Sequence, residues 1–242
     1  MNHYQKLLRD AAAGKKKLAV LIDPDKYTME SLAMVVKLAI DAGIDYFFMG
    51  GSLLIRDDQS LFITFIKGNT TIPVFLFPGN NMQLNNKADA ILLLSLISGR
   101  NPDMLIGRHV ISAPYLKDSN LEIISTGYML IESGLTTTAE YMSNTSPIPA
   151  HKDDIAVCTA MAGEMLGMKL IYMDAGSGAQ YPVAAAMIGK VKKSVDLPLI
   201  IGGGITTPEL AKTAFDAGAD LVVVGNAIEK DPSIITRIAT IP

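Results

Sequence analysis

Short runs of consecutive apolar residues alternate along this chain with longer stretches in which apolar residues recur every three to four positions. The first pattern predicts strands buried on both faces, and the second predicts amphipathic helices. Strands are expected near Leu18–Ile22, Tyr46–Met49, Val74–Phe77, Ala90–Leu94, within Leu121–Ile131, and at Leu170–Met173, Leu199–Ile201 and Leu221–Val224. Helices fit Tyr4–Ala13, Met29–Ala42, Leu53–Lys67, Asp153–Leu166, Pro182–Lys193, Pro208–Ala217 and a short Pro232–Ala239. Such alternation points to a parallel sheet, and its closed form, the α/β (β/α)8 TIM barrel, typically takes roughly 250 residues. The 242 residues fit a single barrel domain spanning 1–242. Asp41-Ala42-Gly43-Ile44-Asp45 and Asp216-Ala217-Gly218-Ala219-Asp220 repeat one helix–glycine–strand junction, as repeated βα units require. Only Glu132–Asp154 lacks the pattern. It is too long for a routine connection, so it is expected to be a partly helical lid or an oligomer contact.

Composition narrows the function classes. A formal net charge of -3 with scattered lysines argues against a nucleic-acid footprint. The one basic run, Lys15-Lys16-Lys17, reads as the solvated end of the first helix. The single cysteine, Cys158, excludes an intrachain disulfide and a multi-cysteine metal site, and its helical stretch suggests a core position. Met1–Asp10 is polar and unlike a secretory leader, and no apolar run nears the roughly 20 residues that span a bilayer. A cytoplasmic protein is expected. Hydrophobic residues nonetheless make up 49%, with 13 methionines and no tryptophan. Barrel packing explains part of that content, and a groove for an apolar substrate would add to it.

Chemistry concentrates where predicted strands end. Tyr172-Met173-Asp174-Ala175-Gly176-Ser177-Gly178-Ala179, Gly202-Gly203-Gly204-Ile205 and Gly225-Asn226 are three successive glycine-rich turns, each after a short apolar run. Glycines there let backbone N–H groups crowd a phosphate, and the next helix adds partial positive charge. Three in succession predict the shared phosphate cup of a barrel. Asp174 could accept a proton from a hydroxyl held in that cup, or could cap or order the turn. Tyr172 shares its face of the strand by period two. Asp23-Pro24-Asp25-Lys26 ends the first strand. Asp23 reads as a Mg²⁺ ligand or as a turn residue, with Asp25 a cap for the next helix. Ser52, after Gly50-Gly51, reads first as a helix N-cap. Tyr128 either lines the site from the fifth strand or packs in the core. His109 and His151 show no metal-binding spacing and read as structural.

Taken together, Leu21-Ile22-Asp23-Pro24-Asp25-Lys26, Gly50-Gly51-Ser52, Tyr172 to Ala179, Gly202 to Thr206 and Gly225-Asn226 resemble the geranylgeranylglyceryl phosphate synthase family over almost the whole chain. Tyr141 to Pro149 and Ala162 to Gly167 are similar to its second group, found in some archaea and Bacteroidetes-like bacteria. The resemblance implies a (β/α)8 prenyltransferase joining sn-glycerol 1-phosphate to a polyprenyl diphosphate, geranylgeranyl diphosphate being expected. It implies Mg²⁺ on Asp23 and Ser52, which raises Ser52 from cap to ligand. A glycerol-phosphate site is implied at Tyr172, Met173, Asp174, Ala175, Gly176, Ser177, Gly178, Gly203, Gly204, Gly225 and Asn226, with Asp174 and Tyr172 catalytic. A homo-oligomer and transient contact with a membrane surface for lipid delivery are also expected. Two positions depart from the family pattern. Leu21 stands where the first group has a lysine. Asp174 stands where glutamate is usual, shortening the reach by roughly 1.5 Å. The alternatives are a phosphosugar isomerase or epimerase barrel and a non-catalytic glycerol-phosphate-sensing barrel, both of which would share the cup.

Overall fold

The alternation within each apolar run sorts side chains to two faces, and both faces are buried. In the computed structural model, which describes residues 2–56 and 58–241, Ala19, Phe48, Tyr128, Tyr172 and Val223 pack inside the barrel. Val20, Met49, Met129, Met173 and Val222 pack outward against the helices. The strands are β1 (Lys17–Ile22), β2 (Tyr46–Met49), β3 (Val74–Leu76), β4 (Ala90–Leu96), β5 (Glu122–Leu130), β6 (Leu170–Asp174), β7 (Leu199–Gly202) and β8 (Leu221–Val224). All neighbours are parallel, and β8 pairs with β1 at Lys17↔Leu221 to close the barrel. With no polar face to offer water, these strands are stable only beneath a helix layer.

Helix α1 (His3–Ala12) closes the N-terminal end. Its Leu7 joins the interior cluster. The amides of His3 and Tyr4 donate to the Glu122 carboxylate at 2.7 and 2.9 Å, so the helix start sits on β5. Lys17 is not the solvated tail expected of the lysine run: it opens β1 and lies 3.3 Å from the buried Asp10 and 2.8 Å from Asp45. Ligands therefore reach the barrel from the other end, where strand C-termini meet their loops.

The outer layer comprises α2 (Met29–Ala42), α3 (Gln59–Asn69), α4 (Arg108–Lys117), α5 (Thr138–Ser143), α6 (Asp153–Met165), α7 (Ala185–Lys192), α8 (Pro208–Ala217), α9 (Asn226–Lys230) and α10 (Ile234–Ala239). Two departures from the sequence reading matter for the site. The helix after β2 begins at Gln59 and not Leu53, because Asp25 accepts from the amides of Ile55 (2.7 Å) and Arg56 (2.9 Å) and holds that segment irregular. Asp25 thus clamps this loop and does not cap α2, whose N-cap is Thr28. Between β4 and β5, a π-helical turn at Asp103–Gly107 runs into α4, a helix hidden from the pattern by Pro114 within it. Cys158 is exposed on α6 and is not a core residue. The 132–154 stretch carries α5 and is tied to the sheet by an Ile131↔Ile148 bridge.

Candidate active site

The turns after β6, β7 and β8 meet at the open end. Gly176, Gly178, Gly203 and Gly204 have φ of +87°, +79°, +77° and +70°, the left-handed region that side chains disfavour. A β-carbon on Gly203 would lie 2.5 Å from the Gly176 nitrogen and 2.7 Å from Asp174 Oδ1, so the first two turns touch backbone to backbone. Asn226, the first residue of α9, ties in the third: its Oδ1 accepts from Ser177 Oγ (3.0 Å) and from the Gly178 amide (3.3 Å). The three turns thus converge, with Ser177, Gly178, Gly203, Gly204, Gly225 and Asn226 around a common concavity and a short helix starting beside it. Backbone donors and helix charge suit a phosphate dianion there. Met173 and Ala175 belong to the same run but differ in orientation. Their side chains are buried in the layer between sheet and helices, so only their backbone is available to a ligand.

Beneath the cup, Asp174 is 7% exposed. Tyr128 donates its hydroxyl to Oδ2 at 2.7 Å, and the Gly176 amide donates to Oδ1 at 2.7 Å. Asp174 therefore orders its turn as well as facing the site. It does not cap the following helix, which starts at Ala185. Burial pushes its carboxyl above the usual value, and the two hydrogen bonds pull part of the way back. Tyr172 projects inward on the same face and lies over Gly202, where a β-carbon would collide with its hydroxyl. Burial, then the charge of Asp174, holds both Tyr128 and Tyr172 well above ordinary phenols, so each stays a neutral donor.

Across the barrel mouth, Asp23 accepts from the Asp25 amide through Oδ1 at 3.1 Å. It caps its turn, as one reading had it, yet spends only one oxygen. The carboxylate rests on Gly51, where a β-carbon would sit 3.1 Å from all three carboxyl atoms. Burial raises the Asp23 pKa, the bond from the Asp25 amide pulls part of the way back, and the Asp25 charge adds to the rise against Lys26 and Arg56. Ser52, beside Gly51, cannot cap a helix that begins at Gln59. Among the described residues, neither Ser52 Oγ nor Asp23 Oδ2 has a hydrogen-bond partner, and no group of three or more His, Cys, Asp or Glu converges. A carboxylate and a hydroxyl at adjacent strand ends, with unspent oxygens, fit a hard cation such as Mg²⁺, which takes few protein ligands and completes its shell with water or phosphate.

Three residues outside the sequence reading complete the mouth. Gln83, 1% exposed, bonds Gly51 O at 2.7 Å and receives the amides of Gly51 and Gly79, locking the loops after β2 and β3 together. Arg108 donates to Gly79 O at 2.6 Å. Phe77 helps line an apolar cavity of about 110 Å³ together with Ser52, Tyr128, Leu84, Leu94 and Met104. His109 lines it with Nε2 at 2.8 Å from Leu94 O, and His151 is exposed. Tyr128, read from the sequence as lining the site or packing in the core, pairs with Tyr172 and shares its inward face. Gln83 carries no local signal.

A family model described as the PcrB family matches residues 12–241. The geranylgeranylglyceryl phosphate synthase of Spirosoma linguale is 52% identical over 236 residues, covering 97% of this chain and 95% of that protein. The geranylgeranylglyceryl phosphate synthase of Chitinophaga pinensis is also 52% identical, covering 98% and 94%. A crystal structure of (S)-3-O-geranylgeranylglyceryl phosphate synthase from Thermoplasma acidophilum in complex with sn-glycerol-1-phosphate superposes with a TM-score of 0.93 at 32% identity, covering 99% of this chain and 97% of that one.

Proposed function

The chain belongs to the PcrB family, and from that premise we infer that it is a prenyltransferase of the geranylgeranylglyceryl phosphate synthase kind. It joins a polyprenyl diphosphate, geranylgeranyl diphosphate being the expected donor, to sn-glycerol 1-phosphate, forming an ether-linked prenylglyceryl phosphate and diphosphate. One observation carries the mechanism: the Tyr128–Asp174 pair is buried between the phosphate cup and the apolar cavity. The cup holds the acceptor by its phosphate and so directs its free hydroxyl at the donor, a gain in proximity. Asp174 Oδ2, oriented by Tyr128, receives the hydroxyl proton as oxygen attacks the prenyl C1. Asp23 and Ser52 would hold Mg²⁺, which when bound supplies the positive charge against which diphosphate departs. The cavity receives the tail, each buried CH₂ contributing about 0.8 kcal/mol.

An isomerase or epimerase would have no use for the apolar cavity beside Tyr128, and a sensor would have no use for a buried base. Among the described residues, no helix is long and apolar enough to cross a membrane. We place the enzyme in the cytoplasm as a homo-oligomer that touches membrane surfaces transiently to take its donor. The test is a radiolabelled assay with sn-glycerol 1-phosphate and C15, C20 and C35 diphosphates, run with Mg²⁺ and with excess EDTA. Ether product that disappears with EDTA, and falls by orders of magnitude in Asp23→Asn, is the expected outcome. Full activity in EDTA would refute the metal assignment, and absence of product from every donor would refute the reaction.

A further inference from the structure

The loops after β2 and β3 meet backbone to backbone. A β-carbon on Gly79 would lie 2.4 Å from Gly51 O and 2.9 Å from Ser52 Cα, so only glycine fits against Ser52 there. Arg108, the first residue of α4, reaches this junction, its Nη1 donating to Gly79 O at 2.6 Å. Its base is pinned as well, for the Arg108 carbonyl accepts from Ser112 Oγ at 2.8 Å and from Asn81 Nδ2 at 3.2 Å. The positive charge held there is unanswered. Arg9, Arg56 and Arg237 each meet a carboxylate, whereas among the described residues Arg108 meets none. Arg108 is also partly buried, and among the described residues it is the one arginine, lysine or carboxylate lining the apolar cavity that Ser52 and Tyr128 share.

A guanidinium drawn partly out of water next to apolar walls is costly unless an anion pairs with it. Gly79 O occupies one of its five donors, which leaves enough for a two-pronged contact with phosphate oxygens. Resting on the prenyl-transfer reading, we propose that Arg108 binds the diphosphate of the prenyl donor beside Ser52 and sets the preference for a diphosphate over an uncharged prenyl chain. The apolar lining serves the chain, and this one cation serves its head. Arg108 forms and breaks no covalent bond in this role. When the C1–O bond breaks, its electron pair leaves with the diphosphate, and the guanidinium offsets the negative charge that gathers there.

Calorimetry on the full chain measures binding of inorganic pyrophosphate, with Mg²⁺ present and sn-glycerol 1-phosphate filling the cup so that pyrophosphate cannot lodge in it. Geranylgeraniol, a prenyl chain without a charge, is measured alongside. In Arg108→Met, pyrophosphate should bind at least about tenfold more weakly, the worth of a charge-assisted bond, while geranylgeraniol binds as in wild type. Arg108→Met also gives up the bond to Gly79 O, so Arg108→citrulline serves as the second variant. Citrulline keeps the shape and N–H groups without the charge, and it should show the same selective loss. In turnover, KM for the prenyl diphosphate should rise while KM for sn-glycerol 1-phosphate stays unchanged. The proposal is overturned if wild type does not bind pyrophosphate, or if Arg108→citrulline binds it as tightly as wild type. It is overturned equally if that variant loses both ligands together, which would make Arg108 a loop clasp. Ether product from wild type in the same assay keeps this failure distinct from failure of the transferase reading, which would give none from any donor.

Discussion

Burial and hydrogen bonding pull in opposite directions on Asp174. Burial raises its pKa above 3.8, while Tyr128 and the Gly176 amide lower it. A base must be unprotonated, so activity is lost as pH falls through the raised value. Tyr128→Phe removes one of the two lowering bonds, which raises the pKa further. The acid limb of the kcat/KM profile should therefore move to higher pH in Tyr128→Phe, and an unmoved limb would show that another group is the base. Asp174→Asn should bind sn-glycerol 1-phosphate nearly as wild type does while kcat falls roughly 10²–10⁴-fold. Asp174→Glu should retain partial activity. Calorimetry beside single-turnover kinetics resolves the two, and normal kcat in Asp174→Asn would make the carboxylate purely structural.

At the scale of elements, the cup depends on turns close enough that only glycine fits between them. Gly203 combines a left-handed φ with a β-carbon position 2.5 Å from the Gly176 nitrogen. Gly167 has a similar φ of +83° at the end of α6, but open space around it. Gly167→Ala should cost only the conformational strain, about 1–2 kcal/mol, and leave KM for glycerol phosphate unchanged. Gly203→Ala should raise that KM at least about tenfold, since displacing the turn costs more than 1.4 kcal/mol of binding. Equal effects from the two substitutions would mean that backbone strain, not contact between turns, explains the glycine. The loop after β2 follows the same logic, for Asp25 holds its Ile55 amide and Gln83 holds its Gly51 carbonyl.

For the whole molecule, the plugged end carries stability and the open end carries chemistry. Asp10, 3% exposed, lies among Lys6, Lys17, Arg9 and Lys15. Burial alone would raise its pKa, but hydrogen bonds and charge from Lys17 and Lys6 outweigh that and hold it below 3.8. A depressed folded value means this contribution is fully present above the unfolded pKa and is lost as pH falls through the folded one. Asp10→Asn should cost about 1–3 kcal/mol at neutral pH and lower Tm, with kinetic constants unchanged. The difference from wild type should shrink below pH 3.8. An unchanged Tm at neutral pH would show that the cluster is electrostatically idle.

The strand positions, the closed α/β architecture and the three glycine-rich turns were legible from the chain alone. Each depends on a pattern carried by near neighbours: continuous apolar runs for strands buried on both faces, and glycines where the backbone must turn left-handed. Only the tertiary structure decided what those elements bring together. Tyr128 and Asp174 are 46 positions apart, and their bond exists because β5 and β6 lie in register. Ser52 lost its role as a helix cap because Asp25, from another strand end, holds residues 55 and 56 out of helical form. The cavity wall contributed by α4 was masked by Pro114, and Met173 was turned from the cup by the alternation that turned Tyr172 toward it. Local periodicity specifies which face a residue takes within its element, but the partner on that face is set by barrel closure, a property of the whole chain.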